Sequence, residues 1–227
     1  VVLITTKRGG AGKTIVSLDS YYGASTELGR IEVFDGPGFA EYKRESRRAT
    51  GAYPEGPATA AADAKLFEPI ELESIGLGRS TDYVAGLMQG GNIQSHQIGV
   101  SGGNDKTTFF VSGNYFKDVG VIINQDFTRY TFRINLDHKI TDKVSIGTST
   151  LFTMSDRNGE NFNPIGGALS ENPLGKPYDD EGNLIFLPTS DGLRTNPFAE
   201  IVPGAQVDET SRTRIFNSIY LNWNITK

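Results

Sequence analysis

Residues 8–14, Arg-Gly-Gly-Ala-Gly-Lys-Thr, have the composition of a phosphate-binding loop. Such a loop follows a strand and opens a helix, whose N-terminus offers free amides and positive potential to phosphate. Residues 15–23 instead contain β-branched and aromatic residues and alternate in polarity, which predicts a strand. We therefore expect a flexible linker at residues 8–14. Nucleotide binding is accordingly the least favoured of the functions that the sequence allows.

Other residues that could act chemically are few and scattered. His96 and His138 are the only histidines, and no cluster of ligands accompanies them. Residues 179–183 carry the acids of a calcium loop without its alternating spacing or distal Glu, and indicate a hairpin turn. Residues 224–226 match a glycosylation sequon at a strand end, which chance explains. We expect no catalytic, cofactor-binding or metal-binding residues, no cofactor and no enzymatic activity. No motif defines a substrate-binding residue.

The composition narrows the class of protein. The chain has 227 residues, a formal net charge of −5, no cysteine and 37% hydrophobic residues. The acidic balance and the lack of a basic stripe argue against nucleic acid as a partner, and no apolar run reaches the roughly 18 residues of a membrane helix. The chain starts with Val1 directly in a β-branched run and ends in a strand, so we expect an internal fragment of a longer protein.

Alternating polarity, with side chains on opposite sides of a strand, predicts where the strands lie. All ten prolines fall outside the alternating stretches, as expected because proline cannot donate to a sheet ladder. Residues 130–140 are the clearest case, with apolar side chains on one face and charged or polar ones on the other. The predicted strands are residues 1–7, 14–25, 94–101, 107–116, 128–140, 144–155 and 210–225.

The connections between these strands alternate in length. Two long insertions, at about 26–92 and 158–208, contrast with short turns at 104–105 and 141–143. Outer-membrane barrels place short turns on one side of the membrane and long loops on the other. The strands are also about twice the usual soluble length, although a soluble β-sandwich that binds carbohydrate or acts as an adhesin remains the alternative. One short helix is predicted, at about 38–49, followed by an alanine-rich tract at 58–64.

Several segments resemble the SusC/RagA family of TonB-dependent outer-membrane transporters. Residues 1–9 are similar to the last strand of that family's plug domain, and residues 100–107 with 111–116 resemble an early barrel hairpin. Residues 129–140 are similar to the strand that follows. The resemblances occur in family order and cover most of the chain outside the insertions.

The resemblance implies an all-β fold: an antiparallel transmembrane β-barrel fragment with about six of the family's roughly 22 strands. Residues 1–13 would be the end of the plug domain and its connector, and residues 14–227 the N-terminal part of the barrel. The implied function is active import of glycan or peptide fragments across the outer membrane of a Gram-negative cell. The implied partners are a SusD-like surface lipoprotein, outer-membrane lipid and TonB, which would act through a segment absent from this chain.

The alternation then assigns strand residues to the two sides of the barrel wall. A lipid-facing position tolerates no charge, whereas a lumen position does. Five tyrosines are candidates for interfacial aromatic girdles: Tyr21, Tyr22, Tyr115, Tyr130 and Tyr220. We expect lipid contact for Ile134, Leu136, Ile146, Phe152, Ile219, Leu221 and Trp223, and lumen exposure for Asp19, Arg133, Asn135, Asp137, Lys139 and Ser149.

Overall fold

The computed structural model describes residues 8–161, 163–190 and 192–225, which form one antiparallel sheet and a group of short helices. The six strands follow the chain order across the sheet. They are β1 (Gly12–Ser25), β2 (Gly91–Gly103), β3 (Thr107–Val119), β4 (Asp126–Lys139), β5 (Val144–Asn158) and β6 (Glu209–Trp223). The predicted strand at residues 1–7 lies outside the described residues.

The register extends along nearly the whole length of each strand pair. In the central pair, Val111 lies opposite Ile134, and Thr107 to Val119 pair with His138 to Asp126 without a slip. Because a shift of one residue would exchange the two faces, this continuity keeps each strand's apolar side chains on the same side. One irregularity, between Gly12 and Ile15, lies where the chain enters β1.

Short turns and long loops segregate to opposite ends of the sheet, as the sequence predicted. The turns after β2 and β4 share one end, which we call the turn end. At the β2–β3 turn, the Asn104 side chain accepts hydrogen bonds from the amides of Lys106 and Thr107 at 2.9 and 2.8 Å. The insertions 26–90 and 159–208 and the loop 120–125 share the opposite end.

The two insertions contain more regular structure than predicted. The helices are α1 (Gly36–Arg48), α2 (Ala60–Leu66), α3 (Pro69–Leu77), α4 (Tyr83–Gly86) and α5 (Ile165–Leu169), with a 3₁₀ turn at Pro197–Ala199. The predicted helix corresponds to α1, which the Asp35 carboxylate caps through the amide of Gly38 at 2.8 Å. Among the described helices, none combines the length and apolar character that crossing a bilayer requires.

The insertions pack together into a single small globule, here called the loop cap (the described residues of 26–90, 120–125 and 159–208). One apolar cluster combines Tyr83 and Leu87 of the first insertion with Ala168 and Phe198 of the second. Another joins Ala40 and Phe67 to Leu174. The predicted hairpin turn at 179–183 lies on the cap: the Asp179 carboxylate accepts the amide of Asn183 at 2.7 Å, and Gly182 takes a φ of 85°. The interpretation of this stretch as a turn is therefore confirmed.

Candidate functional site

One face of the sheet, here called the apolar face, carries large hydrophobic side chains that nothing in the described part of the chain covers. Leu18 is 72% exposed, Ile219 69% and Phe132 44%. All seven residues predicted to contact lipid lie on this face, because the register aligns Leu136 with Thr148 and Ile219, and His138 with Ile146 and Leu221. A soluble β-sandwich would bury such a face against a second sheet. The β-sandwich interpretation is therefore wrong.

The apolar face has the height of a membrane. A row of rings bounds it on the side of the loop cap, where Tyr115 lies 5.3 Å from Tyr130 and stacks on His96 at 6.2 Å between centroids. Trp223 lies at the turn end, opposite Val144. Along β5 the distance between these limits is roughly 33 Å at about 3.3 Å per residue, and a strand tilt of about 40° reduces it to roughly 25 Å, the usual apolar band of a barrel.

The next row toward the loop cap is polar on the same side of the sheet. The register brings these side chains into line across five strands. A change from apolar to polar side chains at a row of aromatic rings is typical of a membrane–water boundary. On β2 to β6 the polar row consists of Gln94, Lys117, Thr128, Asp156 and Ser211, while on β1 the row continues with Tyr22.

The aromatic-girdle prediction is only partly correct. Tyr22, Tyr115 and Tyr130 lie on the apolar face. Tyr21 and Tyr220 lie on the opposite face, because each is an odd number of positions from its apolar neighbours and side chains alternate. Tyr220 contacts polar groups there.

The opposite face, here called the polar face, carries all six residues expected in the lumen. Asn135, Ser149 and Ser218 form one row across β4 to β6. The Asn135 side chain is 3% exposed and accepts a hydrogen bond from Ser149 Oγ at 2.7 Å. Asn135 is therefore a packed structural residue, and its position on the polar face does not make it accessible to a solute.

The segment preceding β1 is fastened to the polar face near the turn end. The Arg8 guanidinium pairs with the Asp137 carboxylate at 3.0 Å and contacts the Tyr220 hydroxyl, which itself donates to Asp137. The Tyr220 ring crosses over Gly147, where a Cβ atom would overlap both the ring and Asp137. Gly147 thus provides the space in which these three side chains meet.

The stretch that resembled a phosphate loop does not have the architecture of one. Residues 8–11 are irregular, and β1 starts at Gly12, so the Lys13–Thr14 pair opens a strand and no helix dipole points toward it. The two histidines are apart: His96 Nδ1 bonds to Ser20 Oγ at 2.7 Å and His138 Nδ1 to Thr107 Oγ1 at 2.8 Å. Within the described ranges, no group of three metal-binding side chains occurs.

Buried charges tie the loop cap together. The Glu71 carboxylate is 1% exposed and accepts both bonds from Lys43 Nζ at 2.7 Å, which links α3 to α1. Glu71 also accepts from Asn172 Nδ2 at 2.7 Å, across the boundary between the two insertions. The backbone continues this junction, since the Thr81 amide donates to the Pro173 carbonyl at 2.9 Å.

A second buried ion pair holds α1 against α2. Arg44 donates to both oxygens of Asp63 at 3.0 and 2.7 Å, and the Tyr53 hydroxyl donates to the same carboxylate at 2.7 Å. The hydrogen bonds from Arg44 lower the pKa of Asp63, with Tyr53 adding to the effect. Elsewhere on the cap, burial raises the pKa of the Tyr83 hydroxyl, and the neighbouring Glu171 raises it further.

Sequence comparison finds that the chain is similar to TonB-dependent receptors. No protein-family model matches it. TonB-dependent receptor P3 of Formosa agariphila is 28% identical over 159 residues, which are 70% of this chain and 14% of that receptor. TonB-dependent receptor P26 of the same organism is 24% identical over 232 residues, covering 99% of this chain and 21% of the receptor.

Structural comparison gives the fold. The RagAB peptide transporter superposes with a TM-score of 0.66 and 18% identity, over 98% of this chain and 27% of that chain. The RagAB peptide importer in its open-open state superposes with a TM-score of 0.65 and 18% identity, over 97% of this chain and 27% of that chain. The chain is thus similar in sequence to TonB-dependent receptors, and it has the fold of the part of the RagAB transporter on which it superposes.

The six-stranded sheet is therefore an arc of a β-barrel, with β1 and β6 as its outermost described strands. The chain spans 14% and 21% of the two receptors it matches in sequence, so most of their length lies outside it. The fold that the sequence resemblance implied is confirmed, and the sequence similarity to TonB-dependent receptors agrees with that resemblance.

Proposed function

We propose that this chain forms part of the wall and the loop cap of an outer-membrane transporter that imports glycan or peptide fragments into a Gram-negative cell. Residues 1–13 would be the end of the plug domain and its connector, and residues 14–227 the first part of the barrel. The proposal includes no catalytic step and no cofactor.

The uncovered apolar face is the observation that carries this proposal. Large exposed side chains such as Leu18 and Ile219 would make a protein surface aggregate in water, whereas in a bilayer they contact acyl chains. The aromatic row and the band height of roughly 25 Å support the same environment. The polar face then lines the lumen, and the anchoring of Arg8 on this face supports entry of the chain into the barrel wall from a plug inside.

The loop cap supports a further part of the proposal, that a SusD-like lipoprotein covers the barrel at this end. The RagAB structures are named as a peptide transporter and importer, which favours uptake of oligomers too large for simple pores. TonB would supply energy through a segment outside this chain. The packed clusters around Leu87 and Leu174 give the cap a fixed surface, which docking of a partner requires.

The experiment uses the complete transporter expressed in its host. We expect it in the outer-membrane fraction, with a mobility in gel electrophoresis that changes on heating, as folded barrels show. Labelled oligosaccharides and peptides from a growth-supporting mixture should accumulate in cells, and deletion of TonB should abolish the accumulation. A SusD-like lipoprotein should co-purify. Recovery in the soluble fraction, or uptake that persists without TonB, would overturn the proposal.

A further inference from the structure

Five arginines lie on the polar face in the half of the sheet next to the loop cap. Arg129 and Arg133 are on β4, Arg157 is on β5, and Arg212 and Arg214 are on β6. The register places them within four adjacent rows, since Arg129 aligns with Ser155 and Arg212, and Thr153 with Arg214. We call this set the arginine wall.

The arginine wall has an excess of positive charge. Arg157 pairs with Glu160 at 2.7 Å. For the other four, the part of the chain that the structure describes provides no ion-pair partner. Arg129 Nε is buried without a hydrogen-bond acceptor. An unsatisfied buried donor on a charged group costs free energy, and among the described residues no internal acceptor competes with a ligand for the Nε–H of the Arg129 guanidinium.

Aromatic rings hold two of the guanidinium groups in place. Arg129 lies over the Phe116 ring at 5.1 Å and Arg157 over Phe127 at 5.3 Å, while the two rings are themselves 6.0 Å apart. Contact with a ring limits the orientations of the guanidinium, and in Arg129 it leaves the edge without an ion-pair partner among the described residues, whereas the edge of Arg157 already contacts Glu160. The arginine wall is therefore partly preorganised for oxyanions.

The plug connector contacts a different part of the polar face. Arg8 is anchored at Asp137, which is roughly 26 Å along β4 from Arg129 at about 3.3 Å per residue. The arginine wall is on the side of the loop cap, where a solute arriving from outside would first meet the polar face. This location favours an imported solute over the plug connector as its occupant.

We propose that the arginine wall binds the carboxylates of acidic peptides during import, an inference that rests on the proposed transport function. Arg212 and Arg214 are two positions apart, so their side chains repeat at roughly 6.7 Å along the strand. Alternate side chains of an extended peptide repeat at the same distance, which favours a peptide with acidic residues at every second position over an acidic glycan. Arginine binds such carboxylates by paired, charge-assisted hydrogen bonds.

The test measures binding to the complete purified transporter. The probes are a fluorescent peptide with glutamate at alternate positions, the same peptide with glutamine, and oligogalacturonate. The variant is Arg212→Gln with Arg214→Gln, since both arginines are exposed on β6. Lys139→Gln is the matched control, because Lys139 is an exposed cation on the polar face at the turn end. A heat-dependent gel shift checks that each variant has assembled.

We expect the double variant to weaken binding of the glutamate peptide by about tenfold or more and to reduce its salt dependence. The glutamine peptide and the Lys139→Gln control should be unaffected. The inference would be overturned if the double variant bound the glutamate peptide with unchanged affinity, or lost as much affinity for the glutamine peptide. It would also be overturned if the parent protein bound oligogalacturonate more tightly than the glutamate peptide, or if the double variant failed to assemble. TonB-dependent uptake of the glutamine peptide would show that the proposed transport function stands even then.

Discussion

Arg8 and Asp137 lie 129 positions apart in the sequence and form a 3.0 Å ion pair on the polar face of the sheet. Tyr220, on β6, contacts both of them. The segment that precedes β1 is thus linked to β4 and β6 by three side chains. Gly147 allows this contact, because any larger residue there would displace the Tyr220 ring.

The substitution Gly147→Val should release the segment around Arg8. A Cβ at this position overlaps the ring and the Asp137 carboxylate, so the ion pair cannot form as it does in the parent protein. We expect trypsin to cleave after Arg8 several times faster in the detergent-purified complete transporter, measured by mass spectrometry. Gly113→Val is the control, since a Cβ there meets no atom within 4 Å. Equal cleavage rates in both variants would contradict the role of Gly147.

A charge should be tolerated at Ser218 but not at its neighbour Ile219. Both residues are exposed, at the middle of β6, and they lie on the polar and apolar faces respectively. An arginine on the lipid side near the middle of the bilayer costs about 2–4 kcal/mol. We expect Ile219→Arg to reduce the amount of assembled transporter in the outer membrane and Ser218→Arg to leave it near the parent level. Equal assembly of the two variants would count against the lipid-facing assignment.

Removing the cation of a buried pair should loosen the loop cap more than removing the anion. Lys43→Met leaves the Glu71 carboxylate buried without its charge partner, whereas Glu71→Gln leaves a lysine that can reach water. We expect Lys43→Met to lower the local stability of α1 and α3 by about 1–3 kcal/mol, measured by amide hydrogen exchange. The double variant Lys43→Met with Glu71→Gln should recover part of the loss, because it buries a neutral pair. A double variant no more stable than Lys43→Met would argue against this explanation.

Acid should weaken the contact between α1 and α2. The pKa of Asp63 is lowered by its hydrogen bonds from Arg44, so its ionised form stabilises the fold above the ordinary carboxyl pKa of about 3.9. This contribution is lost as the pH falls from about 4 through the lowered pKa. The protection factors of the α1 and α2 amides, which remove the intrinsic pH dependence of exchange, should therefore fall at low pH. In Asp63→Asn these protection factors should already be lower at neutral pH and should change less with acid. The exposed Glu55→Gln serves as control.

The strands and their faces were largely predictable from the sequence. In β4 and β5 the alternation is strict enough to place Ile134 and Arg133 on opposite faces, as found. The extra residues of β2 and β3 were missed because Gly91, Asn92 and Lys117 are ordinary loop residues, and only pairing with a neighbouring strand keeps them extended. Tyr21 was assigned to the girdle although alternation alone puts it opposite Tyr22.

The loop cap was mostly beyond the reach of local patterns. Helix α4 has four residues, too few for a periodic signal, and depends on packing of Tyr83 against Phe198 at 5.2 Å between ring centroids. Those two residues are far apart in the sequence, so nothing local indicates the contact. Alternation along β4 to β6 places all five residues of the arginine wall on one face, but their proximity depends on the register between the three strands, which no single strand indicates.

The uneven lengths of the connections also determine the order in which the sheet can assemble. Strands β2 to β5 are joined by short turns and the six-residue loop at 120–125. Their three hairpins therefore close at little entropic cost, and the strands can pair one after another. Strands β1 and β6 pair later, because each is separated from its neighbouring strand by a long insertion whose closure costs more entropy. Because those same segments form the loop cap, its two apolar clusters draw both outer strands to the sheet, and docking of the cap completes the six-stranded arc.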